Sequence, residues 1–190
     1  MIKVIVPFTE GVEEIELITI VDTLRRAEIE VCMASIGTEK TVIGRSNIPL
    51  IADAIFAHVV DHYWDAIILP GGVPNAFLLA ESADVKRACS YFHNQQRTLA
   101  AICAAPFALA SFGLLHGKKI TAYPSMKEKI LSVDATILFE TARVIEDGNI
   151  LTSQGPGTAL LFSLALINKL CDNETALRIG QEMITDNDFS

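Results

Sequence analysis

Cys103 stands at the end of the apolar run Leu99–Ile102, with Ala101, Ala104 and Ala105 around it and Pro106 just beyond. A nucleophile between a strand and a helix, flanked by small residues, matches the tight elbow that lifts a reactive atom clear of a sheet. There the thiol faces the unsatisfied N–H groups of the first helical turn, which favour thiolate over thiol. The residues alone leave a second reading open, because free cysteine is often simply buried and inert. Cys32 falls within a strand-like run, Cys89 on an apolar helix face and Cys171 at a helix end, so these three read as packing residues. No CxxC pair or zinc-ligand spacing occurs, which argues against structural zinc and a disulfide framework.

Two further features could work with such a thiol. Gly71 and Gly72 follow the run Ala66–Leu69. Paired glycines there allow close backbone approach and can aim N–H groups into a pocket, as an oxyanion hole requires, although taken alone they are better explained by an ordinary turn between strand and helix. The other feature is Glu16. At helical spacing Val12, Glu16, Ile20 and Leu24 form one stripe, three apolar residues and one carboxylate on the face that packs on the sheet. A carboxyl group so placed is driven toward its neutral form, or serves as an acid or base. The same spacing turns Glu14 outward and Glu13 to the flank, as solvated first-turn acids.

The elements that must position these groups alternate along the chain. Strand-like runs occur at Ile2–Val6, Ile29–Ala34, Ala66–Leu69 and Leu99–Ile102, and later at Lys119–Thr121, Arg143–Ile145 and Ile150–Thr152. Helical stretches are expected at Val12–Ala27, Ala83–Gln96 with Ser82 as N-cap, and Pro106–Leu115. A helix opened by Gly155-Pro156 and running to Leu170, and a last one over Asn173–Met183, complete the pattern. This alternation implies a doubly wound α/β sandwich, a mostly parallel sheet with helices on both faces, whose binding site lies at the carboxyl ends of the strands.

The 190 residues, 51% of them hydrophobic, suffice for a single domain over 1–190. A formal net charge of −8 argues against a nucleic-acid partner, and only 20% charged residues argue against disorder. The uncharged stretch between Arg97 and Lys118 approaches a bilayer span in length, but Pro106 interrupts it and it reads as strand, turn and short helix. The start, Met1-Ile-Lys-Val-Ile-Val-Pro, shows no features of a signal peptide, so a cytoplasmic location and no membrane partner are expected.

Taken together, Gly11-Val-Glu-Glu-Ile-Glu16, Leu69-Pro-Gly-Gly72, Ala100-Ala-Ile-Cys103-Ala-Ala-Pro106 and Leu151-Thr-Ser-Gln-Gly-Pro-Gly-Thr158 resemble the ThiJ/PfpI superfamily, on its DJ-1/YajL-like branch. The four motifs are co-linear over nearly the whole chain. The resemblance implies a flavodoxin-like fold and a homodimer. It implies Cys103 as nucleophile, Glu16 as a protonated acid bonded to its thiolate, and Gly71, Gly72 and Ala104 at the oxyanion and substrate-binding site, with Tyr123 beside them. The function it implies is cofactor-independent, metal-free chemistry on a small dicarbonyl or glycated substrate, of the glyoxalase III or deglycase type. A non-catalytic oxidative-stress sensor using Cys103, or a chaperone, is the alternative.

Two departures from the family's pattern matter. Many relatives carry histidine where Tyr123 stands, and His58, His62, His93 and His116 fall away from that motif, which counts against a cysteine peptidase or amidase. Relatives also place an arginine about one residue after Arg45, with another near Arg26, in an anion-friendly pocket.

Overall fold

The computed structural model describes residues 1–185. Its strands are β1 (Lys3–Phe8), β2 (Glu30–Ser35), β3 (Thr41–Ile43), β4 (Pro49–Ile51), β5 (Ala54–Ile55), β6 (Ala66–Leu69), β7 (Thr98–Ile102), β8 (Lys119–Ile120), β9 (Leu138–Phe139), β10 (Val144–Asp147) and β11 (Ile150–Ser153). Its helices are α1 (Glu14–Arg26), α2 (Phe56–Val59), α3 (Asn75–Glu81), α4 (Ala83–Asn94), α5 (Pro106–Ser111), α6 (Lys127–Val133), α7 (Ala159–Leu170) and α8 (Asn173–Glu182).

Seven strands form the main sheet in the order β10-β11-β7-β6-β1-β2-β5. All neighbours run parallel except β10 against β11. Parallel strands covered on both faces must be apolar on both, and β6 and β7 are buried at every residue. Helices α1, α7 and α8 pack on one another as one layer, and α3, α4 and α5 as another. This is the doubly wound, flavodoxin-like α/β sandwich the alternating pattern called for. From β1 the chain builds outward through β2 and β5 on one side and through β6, β7 and β11 on the other. The crevice at such a reversal is where open α/β sheets bind ligands.

The helix expected from Val12 begins at Glu14, and its stripe is buried as its period required: Glu16, Ile20 and Leu24 on α1, with Val12 just before it, are each fully sealed from solvent. Ser82 caps α4, accepting the Val85 N–H at 3.3 Å. Three expectations need correction. Glu13 and Glu14 are not solvated: they are only 5% and 6% exposed. The segment around Gly44–Ile48 folds over the start of α1, where Glu14 Oε1 accepts the Ser46 N–H at 2.7 Å and Glu13 Oε2 meets Arg45 Nη1 at 3.2 Å. The helix at Pro106 stops at Ser111 rather than Leu115, because the chain turns through Gly113 in the left-handed region. Gly155-Pro156 opens a short 3-10 turn, Pro156–Thr158, before α7 begins.

Candidate functional site

Four adjacent strands deliver the site from their carboxyl ends. The segment after β1 leads to Glu16 on α1, β6 ends in Pro70-Gly71-Gly72, β7 ends in Cys103, and β11 runs into Gly155-Pro156. The elbow is real: Cys103 has φ +64, left-handed backbone in a residue that is not glycine. Two hydrogen bonds hold it there, the Cys103 N–H to the Ser153 carbonyl at 2.9 Å and the Tyr123 N–H to the Cys103 carbonyl at 2.8 Å. The side chain is 7% exposed, enough to meet a small molecule at one edge.

Glu16 lies fully buried behind that thiol, the two side chains meeting the same face of Gly71. Its Oε2 accepts the Gly71 N–H at 2.8 Å, whereas its Oε1 is sealed from solvent with no hydrogen-bond donor aimed at it. Gly71 therefore serves the carboxyl group rather than an oxyanion, correcting the expectation that it faces the pocket. It also has to be glycine: an added Cβ would lie 2.5 Å from both Cys103 Cβ and Glu16 Oε2. Gly72, at φ +94, has the left-handed backbone that glycine tolerates best, and a Cβ there would run into the Gly11 carbonyl oxygen and the Glu13 nitrogen.

Burial dominates both acidic groups. It holds the Glu16 carboxyl up, to about 7; the Cys103 thiol and the Gly71 amide pull down, the Glu13 carboxylate adds slightly to the rise, and the charge of Arg45 opposes it. Burial likewise pushes the Cys103 thiol up to about 12, with the negative charge of Glu16 and the bond to it acting the same way, while the Gly72 and Ala104 amides pull down. The two groups titrate as one pair, losing a first proton near neutrality and holding the second into the alkaline range. The expected arrangement, a protonated Glu16 bonded to a Cys103 thiolate, is one form of this pair; with Glu16 ionised, its charge holds the thiol protonated. Cys103 ionises at neutrality only in the form in which Glu16 keeps the proton. In that form the repelling charge is gone, and the sulfur faces two amide donors where Glu16 Oε1 faces none.

The thiol opens on a cleft of about 310 Å³ lined by Gly72, Cys103, Ala104 and Tyr123, with Arg45, Val73, Ser125, Met126 and Pro156 completing the wall. Four of the expected residues thus meet at one cleft, with Glu16 and Gly71 directly behind. Arg45 reaches it too, half-exposed and held by Glu13. Arg26 does not: it pairs with Asp22 at 2.9 Å in the last turn of α1, roughly 15 Å along the helix from Glu16. None of the four histidines lines the cleft.

Sequence reasoning missed Asn75. Its carboxamide is fully buried and pins the turn after β6: Nδ2 donates to the Pro70 and Gly71 carbonyls at 2.8 and 2.9 Å, and Oδ1 accepts the Thr9 N–H at 2.8 Å. The turn that presents Gly71 to Glu16 and Gly72 to Cys103 is thereby tied to the end of β1. A polar residue following Val73-Pro74 was the only available signal. Among the described residues no helix is long and apolar enough to cross a membrane, and no group of His, Cys, Asp and Glu side chains could hold a metal ion.

A model of the DJ-1/PfpI family matches residues 2–169. Protein DJ-1 homolog A of Arabidopsis thaliana is 37% identical over 182 residues, 95% of this chain and 46% of its own length. The Parkinson disease protein 7 homolog of Danio rerio is 34% identical over 184 residues, 96% of each. The chain spans less than half the length of the two Arabidopsis homologs it matches. Among solved structures, Drosophila melanogaster DJ-1beta superposes with TM-score 0.93 at 32% identity, covering 97% of this chain and 98% of that one. Oxidised Toxoplasma gondii DJ-1 gives TM-score 0.92 at 34% identity, covering 97% and 99%.

Proposed function

The chain belongs to the DJ-1/PfpI family, whose members include enzymes, and on that premise we propose that it detoxifies reactive dicarbonyls by cysteine-dependent, cofactor-independent chemistry. The observation that carries this reading is one buried carboxyl group placed directly behind one cleft-facing thiol, both packed against Gly71.

With methylglyoxal, the Cys103 thiolate adds to the aldehyde carbon. The C–S bond forms as the carbonyl π pair moves onto oxygen, beside the Gly72 and Ala104 N–H groups, and that oxygen takes the Glu16 proton. The carboxylate then removes the hydrogen from C1 and returns it to C2, while the proton of the C1 hydroxyl passes to the C2 oxygen, leaving C1 as a thioester of Cys103. One water hydrolyses the thioester and releases lactate, so the net reaction adds water with no change in redox balance. A deglycase reaction on early glycation adducts would begin with the same thiol adduct. The absence of histidine from the cleft lining favours this route over a cysteine–histidine hydrolase.

Lactate formation from methylglyoxal tests the reading. Cys103→Ser and Glu16→Gln are each expected to lower turnover by about 100-fold or more. Undiminished turnover in either variant rejects the assignment.

One observation favours a second reading: Cys103 is the only cysteine lining the cleft, and a relative of 34% identity has been solved in an oxidised form. Peroxide would convert the thiolate to sulfenate and then sulfinate, whose oxygens the Gly72 and Ala104 amides and a protonated Glu16 could bond. Intact mass after mild peroxide distinguishes the two, since selective gain of two oxygen atoms at Cys103 supports a sensor. For the partner, we propose a second copy of this chain seated on the exposed isoleucines of α1 (Ile15, Ile18) and of the adjoining β3–β4 segment (Ile43, Ile48, Ile51). A sedimentation profile that is purely monomeric at micromolar concentration refutes it.

A further inference from the structure

Outside the thiol site, a cleft of about 440 Å³ lies at the other end of the sheet. It is formed where the chain enters β6 and β7, and Arg97 is roughly 20 Å of extended chain from Cys103. Val60, Ala88 and Phe92 give it an apolar floor, each buried within the protein. Tyr63 and Tyr91, both at least half exposed, form its walls.

Arg97 stands inside this cleft in an unusual state. Its guanidinium lies over the Tyr63 ring at 4.3 Å and over the Tyr91 ring at 5.4 Å. Nη1 donates to the Trp64 carbonyl at 2.8 Å. Among the described residues no carboxylate meets it, whereas Arg25, Arg26, Arg45, Arg87 and Arg178 each have one. Arg87, across the same cleft, is occupied by Asp61 at 2.7 Å and Asp84 at 3.3 Å. Arg97 is thus half-buried, held in a fixed plane and left without a counter-ion. With its flat surface engaged by two phenol rings, the N–H groups on its edge are what remain to bind. A guanidinium edge matches a planar two-oxygen acceptor, and a carboxylate is that group.

We propose that this cleft is a second small-molecule site, for an aromatic carboxylate: the acid group meets the edge of Arg97, and the ring lies on the apolar floor beside Tyr91. The volume suits a one- or two-ring molecule. The two sides contribute in different ways. Charge-assisted hydrogen bonds fix the acid, and stacking with area burial holds the ring, so neither half alone binds well.

The test is calorimetric titration of the whole chain with 2-naphthoate, with 2-naphthamide as the uncharged analogue and acetate as the acid without a ring. Saturable 1:1 binding of naphthoate is expected, with both controls weaker by roughly tenfold or more. Arg97→Gln and Tyr91→Ala should each weaken naphthoate by a similar factor, while Cys103→Ser should leave it unchanged. Tyr91→Ala removes an exposed ring, so it keeps the test open if Arg97→Gln disturbs the fold around Trp64. Failure of naphthoate to saturate overturns the proposal. So does equal binding of the amide, binding that survives both cleft variants, or binding that disappears with Cys103→Ser.

Discussion

Replacing Gly71 by alanine inserts a methyl group between the two halves of the thiol site. The new Cβ would sit 2.5 Å from Cys103 Cβ, 2.5 Å from Glu16 Oε2 and 2.9 Å from the Ile102 carbonyl oxygen. Two of these contacts are backbone or directly attached to it, and the third is a carboxyl held by the Gly71 N–H itself, so no flexible chain end can swing aside. Overpacking of this kind costs about 1–3 kcal/mol, and stretching the buried N–H to carboxyl bond adds about 1–2 kcal/mol. A chain of this length should therefore lose roughly 5–15 °C in Tm. Gly157→Ala is the matched control, since a Cβ there meets nothing within 4 Å and should be neutral or slightly stabilising. Thermal unfolding followed by circular dichroism reads the stability, and methylglyoxal turnover reads the site. A Gly71→Ala protein with wild-type Tm and wild-type turnover would refute the packing argument.

Asn75→Leu keeps the volume of the side chain but removes three buried hydrogen bonds, leaving the Thr9 N–H and the Pro70 and Gly71 carbonyls without their partner. Urea unfolding is expected to show a loss of at least about 2 kcal/mol, with turnover falling as the Gly71-Gly72 turn loosens. The raised Glu16 acid also sets a pH dependence. Its folded value of about 7 exceeds the ordinary value of 4.5, so between those pH values the native state binds more protons than the unfolded chain. Stability should therefore fall as pH rises from about 4.5 to 7, by roughly 3 kcal/mol in all, and then level off. Glu16→Gln should abolish that decline, and equal slopes for both proteins from urea titrations across this window would contradict it.

The parts legible in the sequence were those fixed by local period and turn chemistry. The α1 stripe could be read because one face of a helix repeats every 3.6 residues, and it correctly placed a carboxyl in the core. Cys103 could be read because small residues crowd a strand-to-helix elbow. Glu13 and Glu14 could not, because what buries them is the segment around Gly44–Ile48, some 30 residues further along, and helical period carries no information about a covering loop. The β3–β4 hairpin and α3 were missed for a related reason, being too short for periodicity to register. Arg45 at the cleft and Arg26 away from it also depend on tertiary placement, since α1 separates them by its own length. The pairing of a protonated acid with a thiolate came from the family resemblance rather than from spacing. What the structure adds is the burial that raises both groups, so that the charge of Glu16 holds the Cys103 thiol up and ionisation of one depends on the state of the other.

That dependence is tested most directly by the rate of Cys103 alkylation with iodoacetamide as a function of pH, in the wild type and in Glu16→Gln. The wild type should show an inflection near pH 7, below the ordinary thiol value of about 8.5, with a further rise in the alkaline range. In Glu16→Gln the inflection near neutrality should be lost and reactivity displaced upward. A wild-type profile with a single inflection at the ordinary thiol value, or one that Glu16→Gln leaves unaltered, would contradict a proton held in common by Glu16 and Cys103.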